Sequence, residues 1–237
     1  MITLGSDIGG TFTDFVEVDE ASGLVQVYKC LTTPDDPSRA IDEGVRTLAQ
    51  RQGRTAAATD VMVHGTTLVI NAVIERKGAK TGLLTTRGFR DVLEIGREKR
   101  FDAYDLQITF PEPLVPRYMR LEVEERMHAT GAILTPLDEA SARAAIGRLL
   151  ELGCESFAVC LLHAYRNPVH ELRLRELIEE MSPDTPVTLS SDVLPEIKEY
   201  ERTTTTTINA YAKPITSRYL RRLEQRVVEQ GFAGELL

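Results

Sequence analysis

Two adjacent glycines interrupt an alternating pattern near the start of the chain. In ITLGSDIGGTFTDFVEVD, apolar and polar residues alternate on both sides of Gly9 and Gly10. Alternation of this kind is typical of β-strands that bury one face, and a glycine pair between two such runs lets the chain reverse. A second reversal is predicted at Ser22-Gly23. The chain is therefore expected to begin with three short antiparallel strands.

The first of these turns also has the composition of a phosphate site. Residues without side chains allow successive backbone N–H groups to point at an anion, and Thr11 and Thr13 add hydroxyl donors. Asp7, at the end of the first strand, could hold the water ligands of a Mg²⁺ ion. The alternative is a plain hairpin turn in which Asp7 pairs with an arginine. Neither a Walker motif nor G-x-G-x-x-G is present, so P-loop and Rossmann chemistry are not supported.

A second candidate site lies in HGTTLVIN, residues 64–71. His64 ends a predicted strand, and Gly65-Thr66-Thr67 leads into a helix whose free N–H groups suit an anion or a developing oxyanion. Asn71 lies one helical turn after Thr67 and interrupts an apolar helix. The alternative is structural: a threonine N-cap, a histidine bonded in the core and an asparagine bonded to the backbone.

The surrounding residues predict a strand, a mostly apolar helix ending at Gly78, and a second strand through Leu83 and Leu84. Such a helix is expected to be buried, and strands joined through a helix are usually parallel with a right-handed crossover.

A third candidate is the charged segment TTRGFRDVLEIGREKRFDAYDL, residues 85–106. Arg97 or Arg100 could clamp an anionic substrate, because guanidinium groups bind carboxylates and phosphates bidentately. The alternative is a solvated surface of weak ion pairs.

Composition excludes several classes of function. The net charge of −8 comes from interspersed residues, so no basic stripe is available for nucleic acid. The apolar runs are much shorter than the roughly 20 residues of a membrane helix, and no signal peptide is apparent. The three cysteines favour reduced thiols and a cytoplasmic location.

The later part of the chain predicts a second α/β unit. PEPLVP, residues 111–116, interrupts all periodicity and suggests a boundary near residue 115. Two helix and strand pairs follow, and a final helical pattern runs from Thr203 to Gln230, with a kink expected at Pro214.

Taken together, the motifs resemble those of one family. DIGGTFTD, HGTTLVINAVIERKGAKTGLLTTRGFRDVLEIGR, PEPLVPR, AVCLLHAYRNPVHE and LPEIKEYERTTTTTINAY occur in the order found in the N-terminal region of the hydantoinase and oxoprolinase A-subunit family. The resemblance covers nearly the whole chain. The family usually has a proline where Phe101 stands, which bears on substrate choice near residues 97–105.

The resemblance implies the fold shared by actin, sugar kinases and heat-shock ATPases: an α/β fold with a ribonuclease-H-like mixed sheet flanked by helices, followed by a second α/β unit. The implied domains are 1–115, with the phosphate loop; 116–198, the second α/β subdomain; and 199–237, the truncated start of the main domain. ATP and Mg²⁺ are the implied cofactors. Asp7 would be the metal-side carboxylate, and the phosphate loop would consist of Gly9, Gly10, Thr11, Phe12 and Thr13.

The implied activity is ATP-dependent ring opening of a cyclic amide or imide, such as a hydantoin or oxoproline, through phosphoryl transfer. The candidate catalytic residues are His64, Thr66, Asn71 and Arg97. A B subunit is the expected partner, within an oligomeric enzyme, and this chain alone is expected to be inactive. The alternatives are a ketone carboxylase subunit, a stand-alone nucleotide-binding module or a kinase-like phosphotransferase.

Overall fold

A computed structural model describes residues 1–33, 35–98, 102, 104–105 and 107–237. Within these ranges the strands are β1 (Ile2–Ile8), β2 (Phe12–Asp19), β3 (Leu24–Leu31), β4 (Val61–Thr66), β5 (Thr81–Thr86), β6 (Arg120–Val123), β7 (Arg126–Met127), β8 (Ile133–Thr135), β9 (Ser156–Cys160), β10 (Val187–Leu189) and β11 (Glu235–Leu236). The helices are α1 (Ser38–Arg51), α2 (Leu68–Ile74), α3 (Val92–Ile95), α4 (Glu139–Glu151), α5 (Val169–Met181), α6 (Ser190–Val193) and α7 (Glu199–Glu229). Short 3-10 turns lie at Ala56–Ala58 and Arg117–Met119.

The chain divides into two compact units. Unit 1 consists of Met1–Lys77 and Ile215–Leu237, and unit 2 of Gly78–Pro214. These limits differ from the domain boundaries predicted at residues 115 and 198. The reason is that β5, which precedes residue 115, forms parallel pairs with β6 and β9, which follow it.

Unit 1 contains a mixed five-stranded sheet in the order β11-β4-β1-β2-β3. Strands β1, β2 and β3 pair antiparallel, which confirms the meander predicted from the two glycine turns. Strand β4 runs parallel to β1, and β11 runs parallel to β4. The alternating pattern buries Leu4, Ile8 and Phe15 on one face of the sheet.

Helix α1 and the last part of α7 cover that face of the unit 1 sheet. Ile41 and Leu48 of α1 and Leu223 of α7 are fully buried in the same core as Phe15. Gly44 lets α1 approach the sheet, because a β-carbon there would lie 2.1 Å from the Phe15 ring. The apolar stripe of α1 thus packs directly on the strands.

Unit 2 contains a parallel four-stranded sheet in the order β10-β9-β5-β6. Every residue of β5 and β9 is buried, as is typical of parallel strands covered on both faces. Helices α4 and α5 contribute Ile146, Leu149 and Leu174 to its core. The predicted fold class, a mixed sheet flanked by helices with a second α/β unit, is confirmed.

The predicted pairing across α2 is wrong. Strands β4 and β5 belong to different sheets, because β4 adds to the meander of unit 1 whereas β5 joins the parallel sheet of unit 2. The helix between them is also not buried: Ile70 and Ile74 are 61% and 73% exposed, and only Ala72 of α2 is buried.

Helix α7 begins four residues earlier than predicted and contains the whole threonine run. The hydroxyl groups of Thr203 and Thr206 donate to the carbonyl oxygens of Glu199 and Arg202, each over 2.7 Å. These bonds satisfy the hydroxyl groups inside the helix. Pro214 lies within α7, where the division between the two units falls.

Candidate functional site

Two of the predicted motifs meet at one edge of the unit 1 sheet. Strands β1 and β4 are parallel neighbours, with Asp7 opposite Gly65 and Ile8 opposite Thr66. Their carboxyl ends, where ligands commonly bind in α/β proteins, therefore lie side by side. The glycine turn follows β1, and the threonines of the second motif follow β4, so the two candidate sites form one.

Glycine permits this close approach at two positions. A β-carbon on Gly65 would lie 3.3 Å from Oδ1 of Asp7, closer than nearly all such contacts in proteins. A β-carbon on Gly10 would lie 3.7 Å from Nδ2 of Asn71. Gly65 thus makes room for the Asp7 carboxylate, and the Asn71 amide reaches the turn.

The turn is held by its carbonyl groups and leaves two amides available. Thr32 donates its hydroxyl to the Gly9 carbonyl and its backbone N–H to the Thr11 carbonyl, each over 2.9 Å. The Gly9 N–H donates to the Phe12 carbonyl at 3.0 Å. The N–H groups of Gly10 and Thr11, both exposed residues, donate to none of the described residues. The turn therefore presents two fixed N–H donors to solvent.

The carboxylate of Asp7 lies near the end of β1, three residues before the first of these amides. Asp7 is exposed and forms no hydrogen bond or ion pair with any residue that the structure describes. Its cross-strand neighbour Asp14 is instead paired with Lys29, at 2.7 Å. The arginine pairing considered for Asp7 is thus absent from the described part of the chain, and its negative charge is available to a cation.

The other residues of the predicted phosphate loop face in different directions. Thr13 is fully buried, and its hydroxyl lies 3.0 Å from that of Thr32. Phe12 is 44% exposed, with the Lys29 ammonium 5.0 Å from its ring centroid. Thr13 thus supports the turn through Thr32, a residue that the motif did not reveal. The sequence did contain a signal for Thr32. Antiparallel pairing outward from the predicted β2-β3 turn places Phe12 opposite Leu31, so the next residue, Thr32, is expected beside the glycine turn.

His64 is bonded through both ring nitrogens. Nδ1 lies 2.8 Å from the Ser6 hydroxyl, and Nε2 lies 2.6 Å from the Tyr219 hydroxyl. Burial lowers the pKa of His64, although the Asp7 carboxylate acts in the opposite direction. Burial also raises the pKa of Tyr219. His64 is thus a neutral ring that joins β1, β4 and α7, and no local signal identified Tyr219.

The threonines after β4 tie the start of α2 to the end of β1. Thr66 accepts a hydrogen bond from the Leu68 N–H at 3.1 Å. Thr67 donates both its N–H and its hydroxyl to the Ile8 carbonyl at 3.1 Å, and Asn71 donates to the Thr67 hydroxyl at 3.1 Å. This chain of bonds fixes Asn71 beside the glycine turn.

Arg97, the fourth predicted catalytic residue, lies in unit 2. Its guanidinium forms an ion pair with Glu201 at 2.8 Å, and its side chain is 59% exposed. Arg100 and Phe101, which were considered for substrate recognition, lie outside the described residues.

Two features are absent from the described residues. No group of three or more histidine, cysteine, aspartate or glutamate residues in that part of the chain could hold a metal ion. None of its helices is both long enough and apolar enough to cross a membrane. Asp7 is thus a single carboxylate beside two amides rather than part of a protein-only metal cluster.

Residues 3–182 match the model of the hydantoinase/oxoprolinase N-terminal region. The chain belongs to this family. Among solved structures it is similar to the ATP-dependent caprolactamase of Pseudomonas jessenii, with 39% identity, a TM-score of 0.89, and coverage of 97% of this chain and 34% of that one. It is also similar to a nucleotide-free acetone carboxylase, with 32% identity, a TM-score of 0.85 and the same two coverages.

The family likeness extends to plants. The 5-oxoprolinase 1 of Arabidopsis thaliana is 31% identical over 245 residues, which cover 90% of this chain and 19% of the relative. The chain spans about a third of the length of the first curated relatives, 34% of each.

Proposed function

We propose that this chain forms the phosphate-binding part of an ATP-dependent enzyme that opens a cyclic amide or imide. The observation that carries the proposal is the pair of unbonded amides at Gly10 and Thr11 beside the unpaired carboxylate of Asp7. Backbone N–H groups suit phosphate oxygens, and a lone carboxylate suits Mg²⁺, which keeps several water ligands when it binds phosphates.

The residues of this edge would have separate tasks. Gly10 and Thr11 would bind phosphate oxygens, and Asp7 would hold the magnesium ion through its waters. ATP would supply a phosphoryl group that makes the amide carbonyl easier to attack by water. Asn71 would position the turn, and His64, bonded on both nitrogens, would hold the strands in register rather than exchange protons.

The relatives support this reaction class. The caprolactamase is ATP-dependent, and caprolactamase and 5-oxoprolinase are both named for cyclic amides. Relatives are also named as alpha, beta and gamma subunits, so we propose that a partner subunit completes the enzyme. The second candidate is a ketone carboxylase subunit, favoured by the similarity to acetone carboxylase.

The test is a phosphate-release assay on the protein purified with any chain that remains associated with it. Oxoproline, hydantoin, caprolactam, or acetone with bicarbonate is added to Mg-ATP. We expect a cyclic amide to stimulate phosphate release and Asp7→Asn to lower kcat/KM roughly 100-fold, as loss of a charge-stabilising group does. Glu20→Gln, at the opposite end of the β1-β2 hairpin, is the matched control and should change it less than about twofold.

The outcomes distinguish the two candidate functions and test the proposed site. Stimulation by acetone and bicarbonate alone would favour the carboxylase. Equal rates for Asp7→Asn and the parent protein would exclude the proposed site, whichever substrate is used.

A further inference from the structure

Two arginines of unit 2 are fully buried, and they differ in their partners. Arg120 donates to the Val115 carbonyl at 2.8 Å and forms an ion pair with Glu94 at 2.9 Å, which leaves only its Nη1 without an acceptor. Arg202 donates from Nη2 to the Leu161 carbonyl and, over 3.5 Å, to the Cys160 sulfur. Its Nε and Nη1 atoms meet no acceptor among the described residues.

No described carboxylate lies within ion-pair distance of Arg202. Burial raises the pKa of the neighbouring Cys160 thiol, which is therefore neutral. The Tyr165 ring lies 5.5 Å from the guanidinium carbon and attracts the cation through its face. A ring face does not accept the in-plane N–H bonds, so the buried positive charge has no described carboxylate in direct contact, and buried Glu171 is linked to it only through the Leu161 backbone.

This guanidinium lies at the carboxyl end of β9. Cys160 is the last residue of that strand, and in open parallel sheets this end is where ligands bind. Three residues later, His163 has the left-handed φ of 56°, which is uncommon outside glycine and concentrates at functional sites. Its Nδ1 lies 3.4 Å from the Tyr165 hydroxyl. His163 and Tyr165 are half-buried, and the Tyr165 ring lies against the buried guanidinium.

We propose that unit 2 binds a small carboxylate at Arg202, beneath Tyr165. One buried positive charge is neutralised by one negative charge, whereas a phosphate dianion would leave a net buried charge. The unbonded N–H groups of Nε and Nη1 lie on opposite edges of the guanidinium, and a carboxylate oxygen is an acceptor for either of them. All of these residues belong to unit 2, so the proposal does not rest on the phosphate site of unit 1.

The experiment titrates the chain with potassium formate, and separately with potassium chloride at equal ionic strength. The readouts are the NMR cross-peak of the Arg202 Nε–H, assigned by its loss in Arg202→Lys, and the Tm. We expect formate to shift the cross-peak saturably and to raise the Tm by about 3–6 °C at ten times its dissociation constant. Chloride should produce less than a quarter of either change.

Two variants separate binding from a general salt effect. Arg202→Met should fold, because removal of an uncompensated buried charge is tolerated, and should lose the Tm response to formate. Arg166→Met, which changes a surface arginine next to Tyr165 in the chain, should keep it. The proposal is overturned if the wild-type cross-peak does not shift, if chloride matches formate, or if Arg202→Met keeps the response. The cross-peak of the wild-type chain decides the question even if Arg202→Met does not fold.

Discussion

The carboxyl ends of parallel strands have opposite surroundings in the two units. In unit 1, the ends of β1 and β4 present backbone donors and the Asp7 carboxylate to solvent. In unit 2, the ends of β5 and β9 lie among buried side chains, several of which bond to one another. Thr86 donates to Glu125, whose carboxylate also lies 2.8 Å from His170, and the Leu162 N–H donates to Thr86.

The difference indicates the kind of ligand each edge can accept. An exposed turn that contributes backbone N–H groups can accept a large, highly charged ligand without rearrangement. A buried edge whose polar atoms are mostly bonded can accept only what completes a missing bond, and Arg202 is a charged group at this edge that has unbonded N–H groups. The same position in two sheets thus supports a surface phosphate site in unit 1 and, at most, a small buried anion in unit 2.

The largest expected effect tests the structural character of the unit 2 edge. Glu171 is fully buried and accepts hydrogen bonds from the Leu161 N–H at 2.9 Å, the Ser190 hydroxyl at 2.6 Å and the Ser191 N–H at 2.9 Å. Glu171→Ala leaves three donors without this acceptor, two of them fully buried. The free energy of unfolding should fall by about 3–5 kcal/mol, measured by urea denaturation.

The control for this prediction is Glu179→Ala, an exposed glutamate on the same helix, which should change stability by less than about 0.5 kcal/mol. Equal effects of the two substitutions would mean that Glu171 does not organise the edge, and the contrast between the units would be lost.

The next largest effect is the pH dependence of stability that His64 produces at the unit 1 edge. Burial lowers the pKa of His64 below its ordinary value of 6.5, so the unfolded chain binds the proton more readily than the folded one. Folding stability should therefore be complete above pH 6.5 and fall as the pH drops below that value, by at most about 1.4 kcal/mol per pH unit. Urea denaturation at pH 7.5, 6.5 and 5.5 measures this slope.

His64→Gln keeps a polar side chain but cannot titrate. Between pH 6.5 and 5.5, the unfolding free energy of this variant should fall less steeply with decreasing pH than that of the parent chain, because the titration of His64 no longer contributes. Identical slopes would mean that folding does not lower the pKa of His64, which would restore it as a candidate acid or base.

Local features of the fold were predictable from the sequence, whereas contacts across long stretches of chain were not. The glycine turns fixed the meander because a hairpin pairs neighbouring residues. Strand β5 pairs with β9, which lies more than 70 residues later in the chain. The local pattern of strand, helix and strand contains no information about β9, so the prediction that β5 pairs with β4 was wrong.

The candidate site shows the same limit. Asp7, Gly10 and Thr11 could be proposed from the sequence because one short motif contains them. Tyr219, the partner of His64, lies 155 residues away and occupies an ordinary apolar position of a helical pattern. Arg202 precedes a run of threonines, and the sequence does not indicate that its guanidinium is buried with no carboxylate paired to it.

The smallest expected effect concerns the stability cost of the proposed phosphate site. Asp7 lies directly opposite Asp14 across β1 and β2, and like charges in that relation repel. Asp7→Asn removes one charge and breaks no bond to a described residue. The free energy of unfolding should therefore rise by about 0.2–1 kcal/mol in low-salt urea denaturation, even though the same substitution is expected to reduce turnover.

A double-mutant cycle identifies the source of this gain. In an Asp14→Asn background the repulsion is already absent, so Asp7→Asn should add less than about 0.2 kcal/mol, and the gain in the parent chain should shrink in 1 M salt. A loss of stability on Asp7→Asn would instead mean that the carboxylate holds the turn together. Unit 1 would then resemble unit 2, where carboxylates at strand ends stabilise the fold. If the Asp7 carboxylate instead lowers stability and is paired with no described residue, it does not serve the fold, and binding of a cationic ligand is what would account for it.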